Sequence, residues 1–406
     1  MGKILFLSYV SGVPSKNFGG SNHVIYDFIY NVKQNEYEFD FLSASSIINN
    51  LTADKLKNAK NSLSRFKKFT YDLYYMNSIY RNIVKRDFYM PYHFFRKNRF
   101  IRKHIINDKY DIIHSHDSVG LSFINNKNTA AKIMTIHSVS PLSKELTNQI
   151  KNKLIKEKYF KELRKKEKVS YEQADVVTFP SNAVRRAYLR NMEIEKEKDF
   201  RIIYNGIDVD KIMRDPFRKP RHMEDFWKNS VDLILLSVAS HTKHKRIDIA
   251  LEAVRELVHV HKLNVRFVNI GVGNLTGYLK NLAKEYQIEE SVKFLGQIDN
   301  SEVLNWMKTS DVLLHVSERV VFDLVVLEAM ACGLCVVASN EGGNKEIITN
   351  GINGYLLEQY DASYIAQALL KADRNRVREN AYRTIHKFSI KKKANEYYEL
   401  YREFSV

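Results

Sequence analysis

The sequence predicts an α/β protein of two doubly wound domains, each a parallel sheet with helices on both faces. Three observations predict it. Apolar, β-rich runs alternate with helical patterns through both halves of the chain, the mark of parallel strands joined by helical crossovers. The chain has 406 residues, long for one core and comfortable for two. Between the halves, residues 214–230 carry Pro216, Pro220 and many charges, the composition of a linker.

Taken in order, residues 3–9 form the opening strand. The apolar run from Ile4 to Val10 enters a glycine loop and lacks the small-residue cleavage site of a secretory signal, so it reads as a buried strand. Phe18-Gly19-Gly20-Ser21 follows, then a helix over 22–32 and a strand at 39–42. After a basic, aromatic insertion at about 60–104 come short strands at 111–114 and 132–136. A highly charged helix over 142–173 and a strand at 176–179 complete the first half. The pattern restarts with a strand at 233–239, a helix at 247–260, a strand at 265–270 and a helix at 277–286. The run 312–316 is a further strand. The helical block 324–332 stops at Gly333, a natural residue just past a helix end, and a strand at 334–338 leads to Gly342-Gly343 and a helix from Asn344. A last helix, 391–404, sets Tyr397, Tyr398, Leu400, Tyr401 and Phe404 on one broad face. No sequence repeat relates the halves, so they share a fold and not a sequence.

Composition narrows the function. An apolar content of 44% supports a packed globule, and no apolar run of about 18 residues is present to span a bilayer. Two cysteines cannot build a disulfide framework and point to a reducing cytoplasm; Cys332 and Cys335 read as core residues. The formal net charge of +17 is concentrated between Arg65 and Lys103, where cations such as Arg96, Lys97, Arg99 and Arg102 interleave with Tyr and Phe and only Asp72 and Asp87 oppose them. Aromatics beside cations suit an anionic membrane surface; a helical insertion with a solvated basic face is the alternative. No nucleic-acid-binding signature is present.

The most informative stretch runs from Glu328 to Glu346. In an open parallel sheet, ligands bind beyond the C-terminal ends of the strands. Glu328, on the helix after one strand, and Gly342-Gly343, after the next, would face one ligand there. A carboxylate to accept from ribose hydroxyls, beside bare backbone N–H groups for phosphate, suits a nucleotide. In the first half, Asp111-Ile112-Ile113-His114-Ser115-His116 ends a strand with two histidines, which could be a metal pair, a buried structural pair or part of a catalytic site. Gly19 and Gly20 form a tight turn, or let backbone approach a ligand.

The stretch Glu328-Ala329-Met330-Ala331-Cys332-Gly333, its following strand and Gly342-Gly343 with Glu346 resemble the donor-site signature of family 4 glycosyltransferases. These are retaining enzymes of the GT-B fold: α/β, two Rossmann-like domains with a cleft between them. The likeness extends to Asn205-Gly206-Ile207-Asp208 and to Val292-Lys293-Phe294-Leu295-Gly296. It implies an acceptor domain over 1–205, a nucleotide-sugar domain over 206–385, and a terminal helix, 386–406, packing back toward the first domain. It implies donor contacts from Gly19, Gly20, Lys245, Phe294, Glu328, Gly342 and Gly343, and a catalytic position for His116, with His137 a weaker candidate.

Two departures from the pattern stand out. Ser240 replaces the arginine expected before Lys245, leaving Lys243, Arg246 or His241 to compensate. Val320 replaces the first glutamate of the Glu-x7-Glu motif, which makes Asp323, in place of a usual glycine, and then Glu318 the substitutes at the sugar. Fixed cations would stabilise the departing diphosphate, so neither metal nor other cofactor is expected, and Asp208-Val209-Asp210, beside a turn, is discounted as a metal site. The expected function is transfer of a sugar from a nucleotide-diphosphate sugar to a lipid-linked or glycan acceptor, at the cytoplasmic face of a membrane. The missing contacts leave open a catalytically impaired homologue acting as partner or chaperone of another transferase.

Overall fold

The computed structural model describes residues 2–8, 37–43, 47–48, 101, 110–125, 127–148, 150–221, 223 and 230–405. Gly19, Gly20, the expected helix at 22–32 and, Ile101 aside, the basic insertion lie outside the described residues. The chain divides into two units, Met1–Tyr204 with Lys393–Val406, and Asn205–Lys392.

In the first unit the described strands are β1 (Gly2–Ser8), β2 (Tyr37–Ser43), β3 (Ile47–Ile48), β4 (Ile112–Ser115), β5 (Ala131–Thr135), β6 (Val176–Phe179) and β7 (Phe200–Ile202). They lie in the order β3-β2-β1-β4-β5-β6-β7, parallel except for β3 against β2. Ile4, Leu5, Phe6 and Leu7 of β1 are all buried, as both faces of a helix-covered parallel strand must be. The chain turns from one side of β1 to the other between β2 and β4, and the crevice at such a reversal is where ligands of open α/β sheets bind.

The C-terminal helix Ile390–Glu403 supplies part of this unit's core. Tyr397, Tyr398, Leu400 and Tyr401 are buried with Ile4, Phe6, Tyr37 and Phe39. Tyr401 Oη lies 2.7 Å from His114 Nδ1, and Tyr397 Oη lies 3.1 Å from both Thr135 Oγ1 and Thr178 Oγ1. The expected single helix over 142–173 is two, Leu142–Thr147 and Lys153–Gln173. Asn152 starts the second by accepting a bond from Ile155 N, the signature of a new N-terminus.

The second unit holds β8 (Leu233–Val238), β9 (Val265–Ile270), β10 (Val292–Gly296), β11 (Val312–His315), β12 (Cys335–Ser339) and β13 (Tyr355–Leu357), all parallel, in the order β10-β9-β8-β11-β12-β13. Its reversal point lies between β8 and β11. The helix Ile247–His259 buries Ile249, Leu251, Val254 and Leu257 in this unit's core. The charged stretch expected as a linker belongs here: Arg218 N donates to Asn305 Oδ1 at 3.0 Å, and Lys308 Nζ to the Asp215 carbonyl at 2.6 Å. Asp208 caps the helix Val209–Arg214 through Lys211 N, while Asp210 pairs with Lys391. Gly206 is required by a close approach, since a Cβ there would stand 2.7 Å from the Ser389 carbonyl.

Candidate functional site

Two loops meet at the reversal point of the second sheet. One follows β8, through the 3-10 turn Lys243–Lys245 to Arg246; the other follows β11, through Glu318 and Arg319 to Asp323. Glu318 N donates to the His244 carbonyl at 2.8 Å, which ties the loops backbone to backbone. Arg246 and Arg319 both hold positive φ, 45° and 58°, a conformation that costs a side-chain-bearing residue free energy.

The candidate cations and carboxylates pair across this junction. Lys245 Nζ lies 2.9 Å from Asp323 Oδ2, and the same oxygen accepts from His315 Nε2 at 2.7 Å. Arg246 pairs with Glu318 and, more loosely, with Asp248. Burial alone would push the Asp323 carboxyl up; the His315 hydrogen bond and charge, with Lys245, overcome it and hold the group well below the usual carboxylate range. Lys243 and Arg319 are exposed and form no ion pair among the described residues.

Val320, at the position of the missing glutamate, is buried and its backbone packs on the glycine turn. A Cβ on Gly342, whose φ is +50°, would fall 1.8 Å from the Val320 carbonyl oxygen; one on Gly343 would fall 2.5 Å from that of Val321. The two glycines therefore bring the loops after β11 and β12 together. Beside them Ser339 Oγ donates to the Ser317 carbonyl at 2.6 Å, and Asn344 Nδ2 to the Ser339 carbonyl at 3.0 Å. Glu328 is half-buried on the helix Leu324–Ala331, which leaves this edge of the sheet, and accepts from Asn300 Nδ2 at 3.3 Å.

On the other side, Phe294 of β10 meets the ring of His241 edge-on, 5.9 Å between centroids. His241 is fully buried and pinned by Asn269 Oδ1 at 2.6 Å and Thr276 Oγ1 at 2.8 Å. Burial lowers its pKa against the opposing Asn269 bond, so this ring is a support for the β8 loop and supplies no cation. Gly271 and Gly273 let the next loop approach: a Cβ on either would stand 1.9 Å from the Ala239 carbonyl and 2.4 Å from that of His241, respectively. His241, expected as one stand-in for the missing arginine, is thus structural, its ring nitrogens taken by Asn269 and Thr276. His315, Gly271 and Gly273 escaped sequence reasoning. The Gly-Val-Gly run directly after a strand was the visible signal for the last two.

In the first unit His114 is structural, fully buried between Tyr401 and Thr135. His116, just beyond β4, is held by its N–H to the Leu7 carbonyl at 2.8 Å and packs 5.4 Å from the Phe6 ring. Its Nδ1 lies 3.4 Å from His137 Nε2, and both line a cavity of about 240 Å3 with Ser138, Ser140, Glu145 and Tyr188. Burial, then the neighbouring imidazoles and Lys393, hold His116 well below the usual histidine range; burial and Lys393 bring His137 to about 3. Both rings are uncharged at neutral pH and can exchange hydrogen bonds with a hydroxyl. Glu167, also missed, shapes the rim by accepting from Ser118 Oγ at 2.7 Å and Leu142 N at 2.6 Å. The Cys332 and Cys335 thiols are both pushed up to about 12 by burial, which removes them as nucleophiles. Among the described residues no cluster of three or more His, Cys, Asp or Glu has the geometry to hold a metal ion, and no helix is long and apolar enough to cross a membrane.

Two family models match the chain, Glycosyltransferase Family 4 over residues 18–211 and Glycosyl transferases group 1 over residues 219–388. The chain is 30% identical over 239 residues to the N-acetyl-alpha-D-glucosaminyl L-malate synthase of Bacillus anthracis, covering 57% of this chain and 60% of that protein. With two glycosyltransferases of Methanocaldococcus jannaschii it likewise aligns over 64% and 62% of their length, less than two thirds. Among solved structures, Anabaena HepE in complex with UDP superposes with a TM-score of 0.64 at 18% identity, covering 99% of this chain and 100% of that one. Sucrose-phosphate synthase of Thermosynechococcus elongatus gives 0.68 at 20% identity, covering 99% of each. With two parallel-sheet Rossmann-like units, the chain has the GT-B fold, and each of its halves is similar to a glycosyltransferase family.

Proposed function

We propose that the chain transfers a sugar from a nucleoside-diphosphate sugar to a lipid-linked or cell-surface glycan acceptor, with retention of anomeric configuration and without a metal ion. The observation that carries this reading is the grouping of Lys245, Asp323 and the Gly342-Gly343 turn where the second sheet reverses, with Glu328 on the helix leaving the same edge. In this reading Glu328 accepts from the ribose hydroxyls and Phe294 borders the base. Lys245, with Lys243 and Arg246 near it, faces the diphosphate. The bond from the anomeric carbon to the β-phosphate oxygen breaks as the acceptor oxygen bonds to that carbon on the same face, the acceptor's proton passing to the departing phosphate, and fixed positive charge stabilises the diphosphate as it leaves. Of the two carboxylates expected at the sugar, Asp323 is engaged by Lys245 and His315, which leaves Glu318 as the one offered to sugar hydroxyls. His116, with His137, is the acceptor-side candidate of the first unit, an uncharged imidazole able to orient a hydroxyl. Gly19 and Gly20 are carried from the resemblance alone. The UDP of the HepE complex makes a uridine donor the first to try.

Thermal shift against a panel of nucleotide sugars, followed by product analysis with and without EDTA, tests the reading. A site filled at a hundredfold excess over Kd adds about 2.7 kcal/mol to apparent stability. A rise with one nucleotide series, then an α-linked product from an α-linked donor made equally well in EDTA, is the expected result. Silence toward every donor, an inverted product, or loss of activity in EDTA restored by manganese would overturn the corresponding part.

Docking on the inner face of a membrane rests on the composition of residues 65–103. Each cation near an anionic surface contributes on the order of 1 kcal/mol, weakening with salt. Replacing Arg96, Lys97, Arg99 and Arg102 together is expected to abolish sedimentation with anionic liposomes at low salt. Equal sedimentation of the wild type with neutral lipid, or none with either, would remove the membrane from the proposal.

A further inference from the structure

Asp323 begins the helix Leu324–Ala331, yet its side chain makes no capping bond to that helix. The usual reason for an aspartate at this position is therefore absent. Its Oδ2 instead receives Lys245 from the β8 loop, 78 positions away, and His315 from the end of β11. His315 is 2% exposed and rooted in the strand, so the carboxylate is braced from behind and aimed at the ammonium. Lys245 is thus met by any incoming diphosphate as one half of an ion pair.

We propose that Asp323 is a positioning residue that acts through Lys245 as a built-in counter-charge, setting the site's grip on diphosphate so that the spent nucleotide is held less tightly than the sugar nucleotide. The inference rests on the nucleotide-sugar reading of the second unit. The two ligands differ in charge at the phosphate nearest the sugar. A nucleoside diphosphate ends in a phosphate monoester whose second ionisation lies near about 6, so it carries extra negative charge at neutral pH. In the sugar nucleotide the same phosphate is a diester and lacks that ionisation. A fixed carboxylate beside Lys245 repels the more charged ligand more, and takes one of the three N–H donors that both ligands would otherwise share. With the counter-charge in place, departure of the product does not have to break a full, unopposed cation–diphosphate contact. A glycine at this position would leave Lys245 without that carboxylate.

The experiment is calorimetric titration of UDP and of UDP-glucose into the wild type and into Asp323→Asn, Asp323→Gly and Asp323→Glu, with GDP and ADP as alternative probes. Asp323→Asn and Asp323→Gly are expected to tighten UDP by about tenfold and UDP-glucose by less, on the order of threefold. Asp323→Glu keeps the charge and is expected to stay near the wild type. Product inhibition by UDP tightens in the two neutral variants in parallel, a change that mere damage to the fold would not produce. In a Lys245→Met background the gain from Asp323→Asn shrinks, because the carboxylate no longer has an ammonium to occupy. Melting curves identify a variant that fails to fold, and either neutral variant alone decides the question. Unchanged or weaker UDP binding in a folded neutral variant, or equal tightening of both ligands, would overturn the proposal. If the wild type binds none of UDP, GDP and ADP, the nucleotide reading itself fails, and this inference falls with it for that separate reason.

Discussion

Gly342 and Val320 touch through backbone: the carbonyl oxygen of Val320 occupies the space that any side chain at 342 would need, 1.8 Å from an ideal Cβ. Gly342 also sits at a φ of +50°, so an alanine there meets a clash and a disfavoured conformation together. Gly342→Ala is expected to destabilise the second unit by about 2 to 4 kcal/mol, above the usual cost of a surface substitution. Denaturant unfolding measures it; a loss under 0.5 kcal/mol would mean that the loop after β11 moves away freely.

Glu328→Gln keeps the shape of the side chain and can keep the contact from Asn300. What it removes is the charge offered to ribose hydroxyls. Hydrogen bonds to charged groups are worth about 1.5 to 3 kcal/mol, so the variant is expected to bind UDP roughly ten- to hundredfold more weakly at unchanged melting temperature. Unaltered UDP affinity in calorimetry would remove Glu328 from the site.

The buried histidines make the first unit acid-sensitive. His114, His116 and His137 all have pKa values below the ordinary one, His137 at about 3. As the pH falls through about 6.5 the unfolded chain takes up protons that the folded rings refuse, so stability is lost on acidification, by up to about 1.4 kcal/mol per pH unit for each ring. Asp323 does not contribute in this window: its depressed pKa supplies stability that is present above about 4 and lost only below it. Glu145 and Glu167, raised by burial, act in the opposite sense to the histidines. The informative quantity is therefore the difference between wild type and His137→Asn. The variant is expected to show a shallower fall in melting temperature from pH 7.5 to 5. Parallel curves would show that His137 is protonated in the folded protein.

Tyr401→Phe tests the docking of the C-terminal helix. It leaves ring packing intact and strips His114 Nδ1 of a partner at 2.7 Å in a fully buried place. An unsatisfied buried polar atom costs about 1 to 3 kcal/mol, and chemical denaturation is expected to show a loss of that order.

The strands were legible because their signal is local. Residues 176–179 and 265–270 are short β-rich runs, and the structure has strands at the same limits. Glu328 and the glycine pair were legible for the same reason, since helix, strand and turn chemistry lie within one short stretch. The pairing of Asp323 with Lys245 was not, because it joins loops 78 positions apart and depends on β8 and β11 being neighbours. Nor was the brace from His315, which looks like any polar residue closing an apolar run. Sequence distinguishes charged from apolar positions readily; which charges cancel is decided by strand order.

The terminal helix has a consequence for how the molecule is made. Tyr397, Leu400 and Tyr401 fill the core that Ile4, Phe6 and Phe39 begin, so on the ribosome the first unit waits for the whole second unit to be synthesised before its own interior closes. Until then an aromatic cavity stays open on a nascent Rossmann-like sheet, the kind of surface that recruits holding chaperones and invites aggregation. Loss of residues 393–405 would therefore be felt at the opposite end of the gene product, as a first domain that never finishes folding.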